Sequence, residues 1–236
     1  MDFSLFLFGI KKNMEKRVFK DKVYSILANM IKAMANPHRL EIIELLGQGE
    51  KSVEEIALET AMSIANASQH LQVLKAANLV EIRRAKNYIH YRLAHDEIYN
   101  SWLNLRKLGF ERVAEVGKLV KDFREMKNSL EAVTLDELLS RMKSRDVVLL
   151  DVRPEGEYRN GHIPGAINIP AEALEKRLKD LKKNKEYIAY CRGPFCVYAD
   201  EAVNILSKKG FKARRLVDGF PDWALKGLPV NRARVF

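Results

Sequence analysis

Cysteine is almost absent from this chain of 236 residues, which contains only Cys191 and Cys196. Two cysteines are too few for the disulfide framework that holds small secreted domains together, so a secreted disulfide scaffold is excluded. Because the two lie close together in the sequence, they indicate a redox or nucleophilic pair in a reducing compartment. We therefore expect a cytoplasmic protein.

Long apolar runs are also absent. No stretch approaches the roughly 18 to 20 apolar residues that a membrane helix needs. The first residues, MDFSLFLFGIKK, contain a short apolar run, but Asp2 stands where a signal peptide is basic, and no small-residue cleavage site follows. We expect neither a signal peptide nor a membrane partner. Translation starting at Met14 rather than at Met1 is an open alternative.

Positive charge is in excess, with 41 Lys and Arg against 31 Asp and Glu, a net charge of +10 and a pI near 9.5. This excess favours an anionic partner, either nucleic acid or a small anionic substrate. The length and the 47% hydrophobic content are sufficient for two domains with separate cores. The excess is shared equally by the two halves, so charge alone does not assign a partner to either.

Helical periodicity fills the first part of the chain and then gives way to alternation. Asn36-Pro37 starts one helix, Ser52 to Glu55 forms a capping box, and Ser63 is the N-cap of another helix. A polar turn separates two alternating stretches that are typical of strands. The predicted order is that of a winged helix-turn-helix: helices over 23–34, 37–46, 53–60 and from 63, then strands over 79–83 and 88–93.

The segments MANPHRLEIIELL, SVEEIALETAMSIANASQHLQVLKAANLVEIRR and NYIHYRLA resemble ArsR-type regulators, including the S-x-H-L-x-x-L of a recognition helix. The resemblance implies a homodimer that binds double-stranded operator DNA. Polar residues of the fourth helix would face the major groove and basic residues of the wing would contact phosphate or the minor groove. These residues are Ser63, Asn66, Ser68, Gln69 and Gln72 on the helix, and Arg83, Arg84 and Lys86 on the wing; the less favoured alternative is that they are only solvated polar positions.

Many ArsR-type regulators sense metals, but the residues for this are missing here. The helix over 53–60 has no cysteine, and only His95 and Asp96 begin the last helix of the domain, with no second histidine. His70 is better explained as a packed or phosphate-contacting residue. We predict no metal and no cofactor.

Residues 96–130 have apolar side chains at mixed helical spacing and form either one long helix or two. In the resembled family the first and last helices of this domain form the dimer interface. Core packing within one chain is the alternative, but dimerisation is favoured because no sheet is yet available to cover the stripe. The charged end of this region is predicted to be the linker.

The pattern of the second half is that of an α/β domain. TLDE, from Thr134 to Glu137, is a second capping box, and VVLLDV is a continuous apolar strand of the parallel-sheet type. A small parallel sheet covered by helices is expected. Its further elements are predicted as a helix over 171–181, a strand over 187–191, a helix over 197–209 and a strand over 213–216.

Cys191 stands at the carboxyl end of a predicted strand, before a short loop and a helix N-terminus. Backbone N–H groups and the positive end of the helix dipole converge there and stabilise a thiolate, which makes the sulfur nucleophilic at neutral pH. Arg192 adds a charge, and Gly193-Pro194 a stiff turn.

Three ordered motifs in this half resemble the rhodanese family: DVRPEGEYRNGHIPGAINIP, YCRGPFCVYADEAV and LVDGFPDWALKGLPV. The resemblance implies a sulfurtransferase in which Cys191 takes a sulfane sulfur from thiosulfate or a persulfide and passes it, as a persulfide, to a thiol or cyanide. Val197 occupies the position at which related phosphatases have the Arg of Cys-x5-Arg, which argues against phosphate or arsenate chemistry. The substrate-binding loop would comprise Arg192, Gly193, Pro194, Phe195, Cys196 and Val197.

Several residues around Cys191 have two interpretations. Arg192 either binds the sulfonate end of thiosulfate or screens the thiolate. Cys196 is either a small buried residue or a resolving thiol that attacks the persulfide. Asp151 and Arg153 are expected to support the loop through ion pairs, and His162 to be a structural hydrogen-bonding residue rather than a proton shuttle.

The sequence thus predicts two domains, a mainly α winged helix-turn-helix followed by an α/β rhodanese-like domain with a small parallel sheet. The expected limits are 1–117, a helical linker over 118–132, and 133–236. The predicted function is transcriptional regulation, as a repressor, with transfer or sensing of sulfane sulfur through Cys191. The alternatives are a sulfurtransferase whose winged helix serves dimerisation or nonspecific tethering to nucleic acid, and a regulator whose second domain is catalytically silent.

Overall fold

The structure is a computed structural model that describes residues 3–85, 88–126, 132–144 and 147–232. The chain divides into two compact units, Met1–Tyr99 and Asn100–Phe236. This division lies at a different place from the domain limits of 117 and 133, which stay predictions. None of the helices within the described ranges has both the length and the apolar character to cross a membrane.

The first unit is helical with a small antiparallel sheet, in the strand order β1-β3-β2. In the hairpin Ile82 lies opposite Tyr91, and the short β1 adds a third strand that the sequence did not predict. The elements are α1 (Phe3–Met34), α2 (Pro37–Leu46), β1 (Lys51–Ser52), α3 (Val53–Glu59), α4 (Ile64–Ala76), β2 (Val80–Ala85), β3 (Tyr88–Leu93) and the first turn of α5 (Asp96–Arg112).

Side-chain caps fix where these helices begin. The Asn36 side chain accepts a hydrogen bond from the Arg39 amide at the start of α2. Ser52 and Glu55 form the predicted capping box, with the Ser52 amide 2.6 Å from Glu55 Oε2. The Asn66 amide donates to Ser63 Oγ over 3.2 Å. Each cap satisfies a backbone group that the helix itself leaves unpaired, so the predicted starts of these helices are confirmed.

Apolar side chains of α2, α3 and α4 form the core of the first unit. Ile42, Ile43, Ile56, Leu71 and Leu74 are completely buried. The buried face of α4 carries Leu71 and Leu74, and its polar positions are exposed or half-buried. By contrast, α1 exposes a row of large apolar side chains: Val18, Phe19, Val23, Tyr24, Ile26, Leu27, Met30 and Ile31.

The second unit contains a five-stranded sheet in the order β4-β8-β7-β5-β6, in which every neighbouring pair is parallel. The rest of α5 precedes α6 (Ala114–Met126). The further elements are β4 (Ala132–Val133), α7 (Leu135–Ser144), β5 (Val147–Asp151), α8 (Glu155–Asn160), β6 (Ile167–Asn168), α9 (Leu174–Arg177), β7 (Glu186–Tyr190), α10 (Tyr198–Lys208), β8 (Lys212–Leu216) and α11 (Phe220–Leu225).

The two faces of this sheet bury two separate apolar clusters. Side chains alternate between the faces along a strand. Tyr187 and Ala189 of β7 belong to one cluster, together with Cys191 and residues of α10. Ile188 and Tyr190 belong to the other cluster, with Trp223 of α11. Cys191 is thus part of the apolar core, and 2% of its surface is exposed.

Some elements differ from the sequence predictions. The helix α1 begins at Phe3 rather than at residue 23. For the region after residue 96, where one long helix or two were both predicted, the structure has two helices, which separate at Val113. The helix predicted over 171–181 is instead three short turns, because 3-10 turns at Ala171–Ala173 and Leu178–Asp180 flank α9. Such turns are common at helix ends.

Candidate functional site

Cys191 immediately follows β7, the central strand of the parallel sheet. Its sulfur forms a disulfide with Cys196, and the two Cα atoms are 6.3 Å apart. The Phe220 amide donates to the Cys191 carbonyl oxygen over 2.9 Å, and the Cys196 amide donates to the Gly193 carbonyl oxygen over 3.1 Å. The structure therefore brings together the two cysteines that the sequence singled out.

The loop from Cys191 to Val197 ends directly at α10, which begins at Tyr198 without a side-chain cap. The first N–H groups of this helix and its positive dipole end therefore lie next to the disulfide in the sequence. Anionic sulfur is favoured in such surroundings. This is the strand, loop and helix order that the sequence predicted around Cys191.

Two glycines allow this loop to approach other segments closely. Gly193 has a φ of +148°, and a Cβ there would lie 2.8 Å from Nη1 of Arg106. A Cβ on Gly219 would lie 2.3 Å from the carbonyl carbon of Arg192 and from the Gly193 nitrogen. Backbone of the loop thus packs directly against backbone before α11, which only a residue without a side chain permits.

Arg192 is bound by a carboxylate within the protein. Its Nε donates to Glu157 Oε2 over 3.0 Å, and Nη2 pairs with Oε1. Both side chains are buried, and the guanidinium lies 5.4 Å from the centre of the Tyr198 ring. The charge of Arg192 is therefore matched by Glu157 of α8.

Asp151 and Arg153 form a completely buried ion pair, with 2.6 Å between Nη2 and Oδ2. Arg153 also donates to the Gly161 carbonyl oxygen, and its guanidinium lies 4.4 Å from the centre of the Phe220 ring. Because the Phe220 amide donates to the Cys191 carbonyl oxygen, the ion pair is connected to the loop through Phe220. The sequence predicted ion pairs for Asp151 and Arg153, and their support of the loop stays a prediction.

His162 has a structural environment. Its ring is stacked on Tyr158, with 3.7 Å between the centroids, and its Nδ1 lies 2.8 Å from the Tyr158 carbonyl oxygen. Its backbone forms a bridge with Asn231. These contacts agree with the hydrogen-bonding role that the sequence indicated.

Residues of α5 and α6 also contact the loop from Cys191 to Val197. Nη2 of Arg124 donates to the Pro194 carbonyl oxygen over 2.8 Å, and the Phe110 ring stacks on Phe195 with 5.4 Å between centroids. Arg106 is buried and pairs with Asp222, whose Oδ2 accepts a hydrogen bond from the Gly219 amide over 2.9 Å. The loop is thus held between these helices and the start of α11.

A cavity of about 480 Å³ lies between α6 and the loop. Most of its lining is apolar, and Cys196 is part of its wall. Burial lowers the pKa of Arg124, although the charge of Asp200 partly opposes this effect. Burial and the nearby Arg124 together lower the pKa of Arg215 to about 10, against the attraction of Asp200.

The predicted DNA-contacting residues lie on α4 and the wing of the first unit. Ser63, Gln69 and Gln72 are exposed, whereas Asn66 and Ser68 are half-buried. Ser63 also serves as the N-cap of α4. On the wing, Arg83 and Arg84 are exposed, and Arg83 binds both carboxylate oxygens of Glu50. Lys86 lies outside the described residues.

Two families match separate parts of the chain. A helix-turn-helix domain family matches residues 34–83, and the rhodanese-like domain family matches residues 134–226. The chain is 42% identical over 205 residues to the HTH-type transcriptional regulator Rv0324 of Mycobacterium tuberculosis. The matched residues are 87% of this chain and 90% of that protein. The chain belongs to this family of HTH-type transcriptional regulators. Its winged helix-turn-helix is of the ArsR type, and it carries a rhodanese-like domain.

Other similarities cover one part of the regulator. A sulfurtransferase of Allochromatium vinosum is 29% identical over 106 residues, which is 44% of this chain and 95% of that protein. The homodimeric winged helix-turn-helix DNA-binding domain of a possible ArsR-family regulator from Mycobacterium bovis is 37% identical. That structure has a TM-score of 0.38 and covers 40% of this chain and 87% of its own.

Sequence reasoning missed the contribution of α5 and α6 to the surroundings of the cysteine loop. Arg106, Phe110 and Arg124 were assigned to a dimerisation helix or a linker, yet all three contact residues of the loop or of α11. Glu157 was missed as well. No local signal in the regulator's sequence indicates these pairings, because the partners are far apart along the chain.

Proposed function

We propose that this regulator is a homodimeric repressor in the cytoplasm, which binds operator DNA through α4 and the wing and carries sulfane sulfur on Cys191. The observation that carries the proposal is the Cys191–Cys196 disulfide at the end of the central strand. It supports a resolving role for Cys196, because the only two sulfur nucleophiles of the chain are within bonding distance.

The chemistry has two steps. The Cys191 thiolate attacks the sulfane sulfur of thiosulfate, the S–S bond of thiosulfate breaks, and sulfite leaves, so that Cys191 becomes a persulfide. The persulfide then has two fates. An acceptor thiolate removes the outer sulfur and restores the Cys191 thiolate, or the Cys196 thiolate attacks Cys191 Sγ and expels hydrosulfide. The second fate forms the disulfide without an external oxidant.

The surroundings of Cys191 favour an anionic intermediate. The loop precedes the N-terminus of α10, whose dipole stabilises negative charge. Arg192 is engaged by Glu157, so its guanidinium contributes to the position of the loop through that pair. We propose that thiosulfate is held chiefly by backbone N–H groups of the loop.

Operator recognition is proposed for the exposed side of α4. Gln69 and Gln72 project from the face opposite the buried Leu71 and Leu74, and amide side chains read base edges in the major groove. Arg84 is exposed on the wing, where it suits a phosphate contact. Arg83 would first exchange its bonds with Glu50 for bonds to phosphate.

Dimerisation is proposed for α1. A row of eight large apolar side chains that are at least 37% exposed lies on this helix from Val18 to Ile31. An exposed surface of this kind is typical of a subunit interface. The homodimeric domain from Mycobacterium bovis is consistent with it.

Coupling between sulfur chemistry and DNA binding is proposed to pass through α5 and α6. Both helices contact the cysteine loop, through Phe110 and Arg124, and α5 is a single helix that contains residues of both compact units. A change in the loop could favour one arrangement of α5 and α6 over another. The free energy of operator binding would then change by the same amount by which the loop favours that arrangement.

The alternative function is that of a sulfurtransferase whose winged helix only tethers or dimerises the enzyme. One experiment separates the two functions. Reduced protein is mixed with thiosulfate, freed of donor, weighed intact, and then titrated with operator and unrelated DNA at fixed salt. Cys191→Ser and Cys196→Ser are measured beside it.

We expect a gain of one sulfur mass that is lost in Cys191→Ser and more persistent in Cys196→Ser, with a change in affinity for operator only. Turnover without sequence-specific binding would support the alternative. Absence of loading with thiosulfate and with a polysulfide would contradict sulfur transfer by Cys191.

A further inference from the structure

The cavity beside Cys196 is not used in the sulfur-loading step proposed for Cys191. Four apolar side chains of α6 form one wall, and the loop forms the other. Its volume of about 480 Å³ lies in the range of cavities that hold small organic ligands. Its lining includes Val116, Leu119, Val120, Phe123, Phe195 and Cys196.

The two cysteines of the disulfide differ in their position relative to this cavity. Cys191 is 2% exposed and belongs to the core cluster. Cys196 is half-buried and lines the cavity. A molecule in the cavity therefore meets Cys196 rather than Cys191, which is not part of the lining.

The charged groups at the cavity favour an anion. Asp200 lines it but is almost completely buried and lies 3.3 Å from Arg215. Arg124 lines it as well, and its Nη2 is bonded to the neutral carbonyl oxygen of Pro194. Arg124 and Arg215 are thus two positive charges near the single carboxylate of Asp200, which makes this end of the cavity electropositive.

We propose that this cavity binds an apolar organic thiol with an acidic group, and that the bound thiol reopens the Cys191–Cys196 disulfide by attacking the sulfur of Cys196. The inference rests on the proposed function, in which the disulfide closes when hydrosulfide leaves. It names the class of reductant that returns the loop to its active form.

Reduction of the protein disulfide consumes two thiol molecules. The first thiolate attacks Cys196 Sγ, a mixed disulfide forms, and Cys191 leaves as a thiolate, which the N-terminus of α10 stabilises. A second thiolate attacks the bound organic sulfur and releases Cys196. Two thiols are oxidised to one organic disulfide, and the protein disulfide is reduced by the same two electrons.

The test is the rate at which the oxidised full chain is reduced by a series of thiols. Mercaptopropionate, mercaptohexanoate and mercaptooctanoate have equally reactive alkyl thiols but apolar chains of increasing length, and mercaptohexanol is the neutral partner of the second. We expect the second-order rate constant to rise at least about tenfold from the shortest to the longest acid, because each buried methylene adds favourable transfer free energy. Mercaptohexanoate should react faster than mercaptohexanol.

Substitutions separate the cavity from general reactivity. Leu119 lines the cavity and is 63% exposed, whereas Met126 of the same helix is 76% exposed and is not part of the lining. Leu119→Ser should remove most of the dependence on chain length, and Met126→Ser should leave it unchanged. Arg124→Gln should abolish the preference for the acid over the alcohol, and Arg124→Lys should retain it.

The attacked sulfur is identified by acid quenching, alkylation of the free cysteine and peptide mapping. We expect the organic adduct on Cys196 and the alkyl label on Cys191. Equal rates for all chain lengths would overturn the inference, as would an adduct on Cys191. If a second copy of the chain covered the cavity, the rates would be equal for all chain lengths. No sulfur donor is used, so failure here is distinct from failure of sulfur loading.

Discussion

Arg124 and Pro194 are 70 positions apart in the chain, yet the guanidinium of Arg124 donates a hydrogen bond to the Pro194 carbonyl oxygen over 2.8 Å. One end of the bond is on α6 and the other is inside the loop that the two cysteines close. Any displacement of this loop therefore changes a contact of α6.

Replacing Arg124 should weaken the regulatory response. In Arg124→Ala the ratio of operator affinities of the disulfide and reduced forms should fall by up to about fivefold, since a hydrogen bond contributes about 1 kcal/mol. Thiosulfate loading of Cys191 should persist. Fluorescence anisotropy with operator DNA measures the ratio, and Lys121→Ala on the exposed side of α6 is the control. An unchanged ratio would contradict coupling through this contact.

Breaking the buried pair of Arg192 and Glu157 should destabilise the protein strongly. Glu157→Gln leaves a buried guanidinium without its counter-charge and should cost about 3 to 5 kcal/mol of unfolding free energy. Urea unfolding measures the change. Glu155→Gln on the same helix removes an exposed i,i+4 partner of Arg159 and should cost less than about 1 kcal/mol. Equal effects of the two substitutions would refute the structural role of Glu157.

Gly219 should tolerate no side chain. A methyl group there would overlap with the backbone of Arg192 and Gly193, so Gly219→Ala should displace the loop and slow thiosulfate loading by at least about tenfold. Gly156→Ala is the matched control, because a Cβ at Gly156 has no described atom within 4 Å. Intact mass against time measures loading. Loading at the normal rate in Gly219→Ala would show that the close approach is unimportant.

Glu186 should make the free energy of unfolding depend on pH in the acidic range. Burial raises the pKa of Glu186, but hydrogen bonds from Arg214 and Arg141 outweigh it and hold the pKa below its ordinary value of 4.5. Its stabilisation is therefore complete above pH 4.5 and is lost as the pH falls through the lower, folded-state pKa. Compared with wild type, Glu186→Gln should lose about 1 kcal/mol at neutral pH and nothing in strong acid. Urea unfolding across pH tests this, with exposed Glu172→Gln expected to show no such difference.

Substitutions in the first unit should separate DNA affinity from specificity. Arg84→Ala should weaken binding to all sequences and reduce the salt slope by about one, because a phosphate contact releases counterions. Gln72→Ala should cost about 1 to 3 kcal/mol on the operator and little on unrelated DNA. Titrations at several salt concentrations distinguish these results. Identical losses on both DNAs in Gln72→Ala would contradict base readout by this residue.

Local signals predicted most of the fold. The capping box of Ser52 and Glu55 and the N-cap at Ser63 lie where the pattern indicated, because caps act within one turn of a helix. The alternation in β2 and β3 was similarly sufficient for the hairpin. The two-residue strand β1 was not predictable, since it exists only through its pairing with Tyr91 and His90 of β3.

The position of the two cysteines was predictable from the sequence, but their surroundings were not. A cysteine between a strand and a helix is a local pattern, and so is the nearby Cys196. Arg192 was assigned either to the substrate or to screening of the thiolate, and the sequence did not indicate that its guanidinium binds Glu157, 35 positions earlier. Pairings over such separations depend on how the sheet orders its strands, which a single sequence does not reveal.

The disulfide joins two elements that differ in how readily they unfold locally. Cys191 continues β7, which is hydrogen-bonded to a strand on each side, whereas Cys196 stands before the uncapped first turn of α10. Amides of a central strand exchange with solvent only in large openings, but helix ends fray readily. Closing the disulfide therefore ties the fraying end of α10 to the slowest-exchanging strand. Hydrogen exchange at the start of α10 thus becomes a direct measure of whether the two sulfurs are joined.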